Sequence, residues 1–405
     1  MTSYQAPTGQ MIEHARDAIQ GVRGALIELY TAIGANPEEP QEVARQFGLN
    51  RNLTWKLSRV MTGAQPFATL NHLPGKQGMD LALQAFRKAS APAESVDAVD
   101  RALRSLYEVI EVHAGDRDHF ELTLESMGLF EREDRPDSGR EQAFRGNSMI
   151  WGVQAKTRLS VTFIGPSASP DAVDFVGVAA LYGFRRLRTS ARWRLFRLQL
   201  TDDAGKDLPA SSMPEEIDQN RRSDDTPLML RDFCSANMPP LETHDTPEGR
   251  EYLLPGGPVG NTGVFDCYFG YIARGLSLKR TPGNEYSSAA CSISTPVENL
   301  VFDVLVHKDL PLLGNPELAL YGFPHGGAED PSKQTEANRL PMSDEWQELV
   351  GSPPVVATPL VPRYTPVMNM VFNRMGWTAS AFRGLRLTIK YPALSSRYVA
   401  RWRLG

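Results

Sequence analysis

Between Ile12 and Ile33 the apolar residues Ile12, Ala15, Ile19, Val22, Leu26, Leu29 and Ile33 recur at alternating spacings of three and four. That period lays one narrow stripe along a helix. Three heptads of it fit either a coiled-coil-like dimer seam or packing inside a helical bundle. Gly21 and Gly24 weaken an isolated helix and so favour the bundle. A second stripe at Val96, Val99, Leu103, Leu106 and Ile110 predicts another helix. Further helices are predicted over 75–90, after the Pro74-Gly75 break, over a short segment following Asp116, and over 139–155, with Phe144, Ser148, Trp151 and Ala155 on one side.

Beyond residue 156 the pattern changes. The segments 157–165, 175–188, 192–200, 299–307 and 382–391 carry the apolar, β-branched and aromatic content of strands, separated by Gly, Pro, Asp and Asn turns. Helices are predicted again at 342–350 and 366–375. The polar, turn-rich stretch 200–227 reads as a long exposed loop or insertion. The predicted class is therefore α+β: a helical region over 1–155 and a β-rich, sandwich- or barrel-like domain over 156–405.

With 405 residues, 41% of them hydrophobic, the chain is long enough for two or three domains with real cores. It shows neither a charged-then-apolar leader nor an apolar stretch near the roughly 18 residues that span a bilayer, so the expectation is a cytoplasmic protein that does not insert in membranes. Cys234, Cys267 and Cys291 have no CxxC or Cys/His spacing, which points to buried thiols rather than disulfides or zinc. The formal net charge of -5 argues against a protein that coats nucleic acid, but the distribution argues otherwise. No Asp or Glu occurs from Val43 to Met79, from Phe175 to Thr201, or from Leu349 to the C-terminus. At 48 acidic residues in 405, about four would fall in the first of these stretches alone.

The first stretch contains a local pattern of its own. A helix-turn-helix needs a small residue where its helices cross, a glycine in the turn four residues on, and an apolar residue next; Ala44, Gly48 and Leu49 meet this. Pro40 suits a first helical turn and Asn50 an N-cap. Through EVARQFGLNRNLTWKLSRV the chain resembles the helix-turn-helix domains of bacterial transcription regulators. The resemblance covers some 20 to 25 residues. It implies a DNA-binding regulator, with a homo-oligomer pairing two half-sites, double-stranded DNA as partner, and a ligand or protein sensed by the second domain. The first buried position of a recognition helix in such domains lies six residues after the glycine, at Thr54 here; the sequence places Leu53 one position earlier, and the reading takes Leu53, Leu57, Val60 and Met61 as the buried face. Arg51, Asn52, Trp55, Ser58 and Arg59 then face outward. Arg51, Asn52 and Arg59 are expected to reach bases, Arg45 and Lys56 to hold phosphates, and Trp55 to press on DNA or dock on protein. The alternative is an interaction or assembly protein that uses the same hairpin, centred on Trp55, as a docking surface.

Other constellations carry less. His113, Asp116, Asp118 and His119 resemble metal ligands, but a helix break at Gly115 with Asp116 as N-cap explains them equally well. The glycines of PGGPVGNTG (255–263) lack the GK[ST] ending of a phosphate loop. No nucleophile or paired-carboxylate motif is present, His244, His307 and His325 stand far apart in sequence, and no enzyme, cofactor or metal is expected. In GFRRLRTSARWRLFRLQL (183–200) a strand would alternate arginine with apolar side chains. Arg185, Arg186, Arg192 and Arg194 are thus a candidate face for an anion, or a face paired with the chain's own acidic loop. The C-terminal SRYVARWRLG has the same alternation and is expected as an edge strand beside it.

Overall fold

The computed structural model describes residues 7–129, 138–199, 213–219, 226–247, 249–279, 286–312, 314–322 and 336–403. The chain divides into two compact units at Pro136/Asp137.

The first unit is helical: α1 (Pro7–Ala32), α2 (Pro40–Phe47), α3 (Arg51–Thr62), a 3-10 turn (Phe67–His72), α4 (Lys76–Lys88), α5 (Ala93–Ala114) and α6 (Arg117–Ser126). Ala15, Ile19, Val22, Leu26 and Leu29 of α1 share one core with Val96, Val99, Leu103, Leu106 and Ile110 of α5. Both predicted stripes are thus consumed against each other inside one chain. The α1 seam is bundle packing, and it offers no free face for a dimer. Phe86 of α4 closes this core, with the rings of Tyr30 and Phe47 edge-on against it at 5.8 and 5.1 Å.

The second unit begins with α7 (Ser138–Trp151) and continues through β1 (Val153–Pro166), β2 (Ala172–Arg186), β3 (Trp193–Gln199), β4 (Glu215–Glu216), β5 (Glu242–Thr246), β6 (Gly249–Leu254), β7 (Phe265–Ser277), β8 (Tyr286–Ile293), β9 (Val297–His307), β10 (Glu317–Gly322), β11 (Arg339–Leu340), β12 (Gln347–Leu349), α8 (Tyr364–Met375), β13 (Phe382–Lys390) and β14 (Ser396–Arg403). A seven-stranded sheet has the order β12-β13-β9-β1-β2-β7-β4, a four-stranded sheet β11-β10-β14-β8, and a three-stranded sheet β3-β6-β5. Residues of β9 alternate between two cores. Leu300, Phe302, Val304 and Val306 meet Cys291, Tyr398 and Trp402 of the four-stranded sheet, whereas Val301 and Leu305 join the core under α8 with Val367, Val371 and Phe372. Burial on both faces explains the near-continuous apolar run of VFDVLV. The sandwich expectation is met, with α8 as a further layer on the larger sheet.

One polar group sits inside. Asp303 of β9 is fully buried. Directly across from it in register, Arg386 of β13 makes a bidentate pair at 2.7 and 2.9 Å, and the Tyr364 hydroxyl of α8 donates to the same carboxylate at 2.5 Å. Arg386 also donates to the Val356 carbonyl at 2.7 Å. Burial, with the carboxylate beside it, holds the Tyr364 hydroxyl well above its ordinary range, so it stays a donor. The cluster is satisfied within itself and fixes α8 on the sheet.

Four expectations change. The helix predicted over 139–155 ends at Trp151, because Gly152 turns the chain at φ 73 and Val153 starts β1. This helix belongs to the second unit, where Phe144 packs on Tyr391 (5.4 Å between centroids) and Arg140 pairs with Asp344 at 3.3 Å, so the division lies some twenty residues before the expected one. Residues 342–350 are extended instead of helical, since Gln347–Leu349 take their partners from β13. The C-terminal strand β14 lies between β10 and β8 and not beside β3. Most of the stretch 200–227 falls outside the described residues.

Candidate nucleic-acid interface

The hairpin of α2 and α3 turns at Gly48, whose φ of 64 and ψ of 29 place it in the left-handed region where a side chain is strained. Its N-H and that of Leu49 both return to the Ala44 carbonyl. Asn50 then caps α3, its side chain accepting from the Asn52 N-H at 2.8 Å. Pro40 opens α2 and Val43 and Ala44 are buried. The far end of α3 is held from α1, where Arg23 Nε donates to the Met61 carbonyl at 2.9 Å. Gly63 follows, and a Cβ there would stand 2.7 Å from Thr69 Cγ2, so α3 must leave its last turn through glycine.

The buried face of α3 is Thr54, Leu57, Ser58, Val60 and Met61. Thr54 is 0% exposed and hides its hydroxyl by donating to the Arg51 carbonyl at 3.1 Å. The first buried position therefore lies six residues after Gly48, and the register expected from Leu53 is corrected by one. Leu53 is half-buried at the margin of the core. Ser58, expected on the outer face, is buried with the rest.

What remains outside is Arg51, Asn52, Trp55 and Arg59, all exposed, with Lys56 half-buried at the edge. Trp55 is 43% exposed and is not free-standing. Its ring meets His72 edge-on at 5.2 Å, and the Arg59 guanidinium lies over it at 5.5 Å from the centroid. The 3-10 turn that supplies His72 is held by Arg117, which donates to the Leu70 and Leu73 carbonyls at 2.8 and 3.0 Å and pairs with Glu121 at 2.7 Å. Neither His72 nor Arg117 was singled out by the sequence, although His72 lies inside the acid-free stretch. Arg51, Lys56, Arg59 and Lys76 form no ion pair among the described residues. Arg45, on α2, pairs at 2.6 Å with Glu42, with both side chains more than half exposed; such a pair is weak and screened.

The arginines of the other two acid-free stretches have different fates. Arg186 is 1% exposed, donates to the Pro255 carbonyl at 2.5 Å and lies over Phe265, which locks the glycine loop 255–263 onto β2. It belongs to the interior and not to an anion-binding face. Arg185 is half-buried opposite Gln154. Arg192 pairs with Glu242, and Arg194 with Glu251 at 2.6 Å, partners that lie on β5 and β6. In the third stretch Arg383 donates to the Leu312 and Gly314 carbonyls, Arg363 to that of Asp232, and Arg401 pairs with Glu317.

Asp116 caps α6 through the His119 N-H at 2.8 Å and contacts the His119 ring at 2.7 Å, and no cluster of three or more metal-ligating side chains occurs among the described residues. His307 packs edge-on against Phe382, His244 lies 3.9 Å from Glu251, and His325 lies outside the described residues. The three cysteines are buried free thiols, and burial pushes those of Cys234 and Cys267 up. No described helix is long and apolar enough to cross a membrane. No protein-family model, curated protein or solved structure matches the chain.

Proposed function

We propose that the first unit binds double-stranded DNA by laying α3 in a major groove, and that the protein acts as a transcription regulator whose second unit senses a ligand or partner. Arg51, Asn52 and Arg59 reach base edges, Lys56 and Lys76 hold phosphates, and Arg45 adds a further backbone contact once Glu42 releases it. The observation that carries the reading is the outer face of α3: three polar side chains suited to base edges stand exposed around a tight, capped turn, with no carboxylate against them among the described residues. A helix that only packed in its own bundle would have no physical reason to keep acid away from this face. Pairing of two copies through the α1 seam forms no part of the proposal, because α5 covers that seam.

The test is fluorescence anisotropy of the full chain on random and genome-selected duplexes across a salt series. Binding that weakens steeply with salt, and is lost in Arg51→Ala with Arg59→Ala, supports the reading. Salt-insensitive binding, or none, or binding indifferent to the double substitution, sinks it. One observation favours a second reading: Trp55 and Arg59 are of the residue types that anchor protein interfaces, and they are stacked and exposed together. Size-exclusion of the wild type and Trp55→Ala, with and without DNA, separates the two. Loss of an assembly without any change in DNA binding would favour protein docking.

A further inference from the structure

Near the start of α1, His14 meets His113 from the last turn of α5. Nδ1 of His14 lies 3.2 Å from Nε2 of His113. The ring centroids are 5.4 Å apart with planes inclined by 52°, so the rings approach nitrogen to nitrogen and not face to face. The backbones that bring them together are fixed by the core, through Met11, Ala15 and Ala18 of α1 and Leu106 and Ile110 of α5. His14 itself is exposed and His113 half-buried, so the pair opens to water.

Two neutral imidazoles at this distance can share one N-H. When each ring instead carries its proton on the far nitrogen, the two near nitrogens present lone pairs to each other and only a cation between them relieves the repulsion. A tetrahedral ion bound to two imidazoles at about 2.0–2.1 Å holds their nitrogens about 3.3–3.4 Å apart, which is the separation found here to within about 0.2 Å. The geometry points to His14 and His113 as a two-histidine site for a divalent transition metal that clips α1 to α5. Imidazole ligands select zinc, copper or nickel over magnesium and calcium, which require oxygen donors. No third His, Cys, Asp or Glu completes a cluster among the described residues, so water fills the remaining positions and the site is open and exchangeable. His119, close in sequence, is engaged with Asp116. Neutral rings lose no proton on binding, because the shared one moves to a far nitrogen.

The site is independent of any contact with DNA. Its test uses the full chain without an affinity tag, stripped with EDTA, then titrated with Zn²⁺ or Ni²⁺, with Mg²⁺ as control. The expected result is a saturable rise in unfolding temperature with zinc or nickel and none with magnesium, together with several-fold slower amide exchange over residues 11–18. His14→Gln and His113→Gln should each remove both effects while unfolding at the wild-type temperature in EDTA. A metal-independent unfolding temperature overturns the inference. So does a zinc response that persists undiminished in either variant, since the ion would then bind elsewhere. If one variant proves unstable in EDTA, the other together with the exchange over 11–18 decides the matter.

Discussion

On α3, Arg51 and Arg59 come from an acid-free stretch and stand exposed with no carboxylate partner among the described residues. On β2 and β3, Arg186, Arg192 and Arg194 come from an equally acid-free stretch and end on a proline carbonyl, Glu242 and Glu251. In the sequence the two regions look alike. What differs is what the fold brings opposite them: a helix at the margin of a small bundle leaves its outer face to solvent, whereas strands in a layered sheet meet neighbours whose glutamates lie far away along the chain. An acid-free stretch therefore leaves exposed, unpaired cations only where no other element is folded against it. The third basic stretch follows the second, with Arg386 as its extreme case.

The contrast can be tested by removing charge in each region and asking whether stability or binding responds. Arg386→Met leaves Asp303 buried without its partner and should cost about 3–5 kcal/mol, read from the denaturant midpoint by circular dichroism. A loss below about 1 kcal/mol would show that water reaches the pair. Arg51→Ala and Arg59→Ala should each change stability by less than about 0.5 kcal/mol but weaken DNA binding by about 1–3 kcal/mol, read from anisotropy at fixed salt. A large stability loss from either would place that arginine in the same class as Arg386. Gly48→Ala forces a side chain into the left-handed turn and should destabilise the first unit by roughly 1–2 kcal/mol, measured by thermal unfolding. Arg192→Ala should have the smallest effect, below about 1 kcal/mol in stability and none on DNA affinity, because its pair with Glu242 is exposed. If it weakened DNA binding instead, the separation of the two regions would fail.

The helical unit was legible because its core is written as period: α1 and α5 each carry an unbroken stripe, and each stripe finds the other. The sheets were half legible. The strands β1, β2, β9 and β13, rich in branched and aromatic residues, stood out, whereas β8, which reads YSSAACSI, did not, since small and polar side chains owe their burial to the sheet laid over them. The two faces of α3 were readable from spacing except at Thr54 and Ser58, both of which are buried. Thr54 was passed over in favour of the more hydrophobic Leu53, and only a local hydrogen bond lets a threonine take the core side. His72 and Arg117, which brace Trp55, come from elements outside the hairpin, and no spacing rule links them to it. Asp303 was invisible for a related reason: a lone carboxylate in an apolar run acquires meaning only when Arg386, over eighty residues later, is placed across from it.

The parallel pairing of β1 with β9 also sets an order of events. Ala155 pairs with Val297 and Ile164 with Val306, so the middle of the seven-stranded sheet cannot close until about 140 further residues have been made. Among the described residues, the helical core draws on none beyond Leu129. On a ribosome, or in refolding from denaturant, short-range contacts assemble first and long-range strand pairing follows slowly. The first unit can thus reach its native form while the second is still an open chain, and for that interval β1 and β2 expose hydrophobic strands. Conditions that slow the second unit should leave a species with folded helices and an aggregation-prone tail, and that stage is where substitutions in β9 or β13 would do their damage.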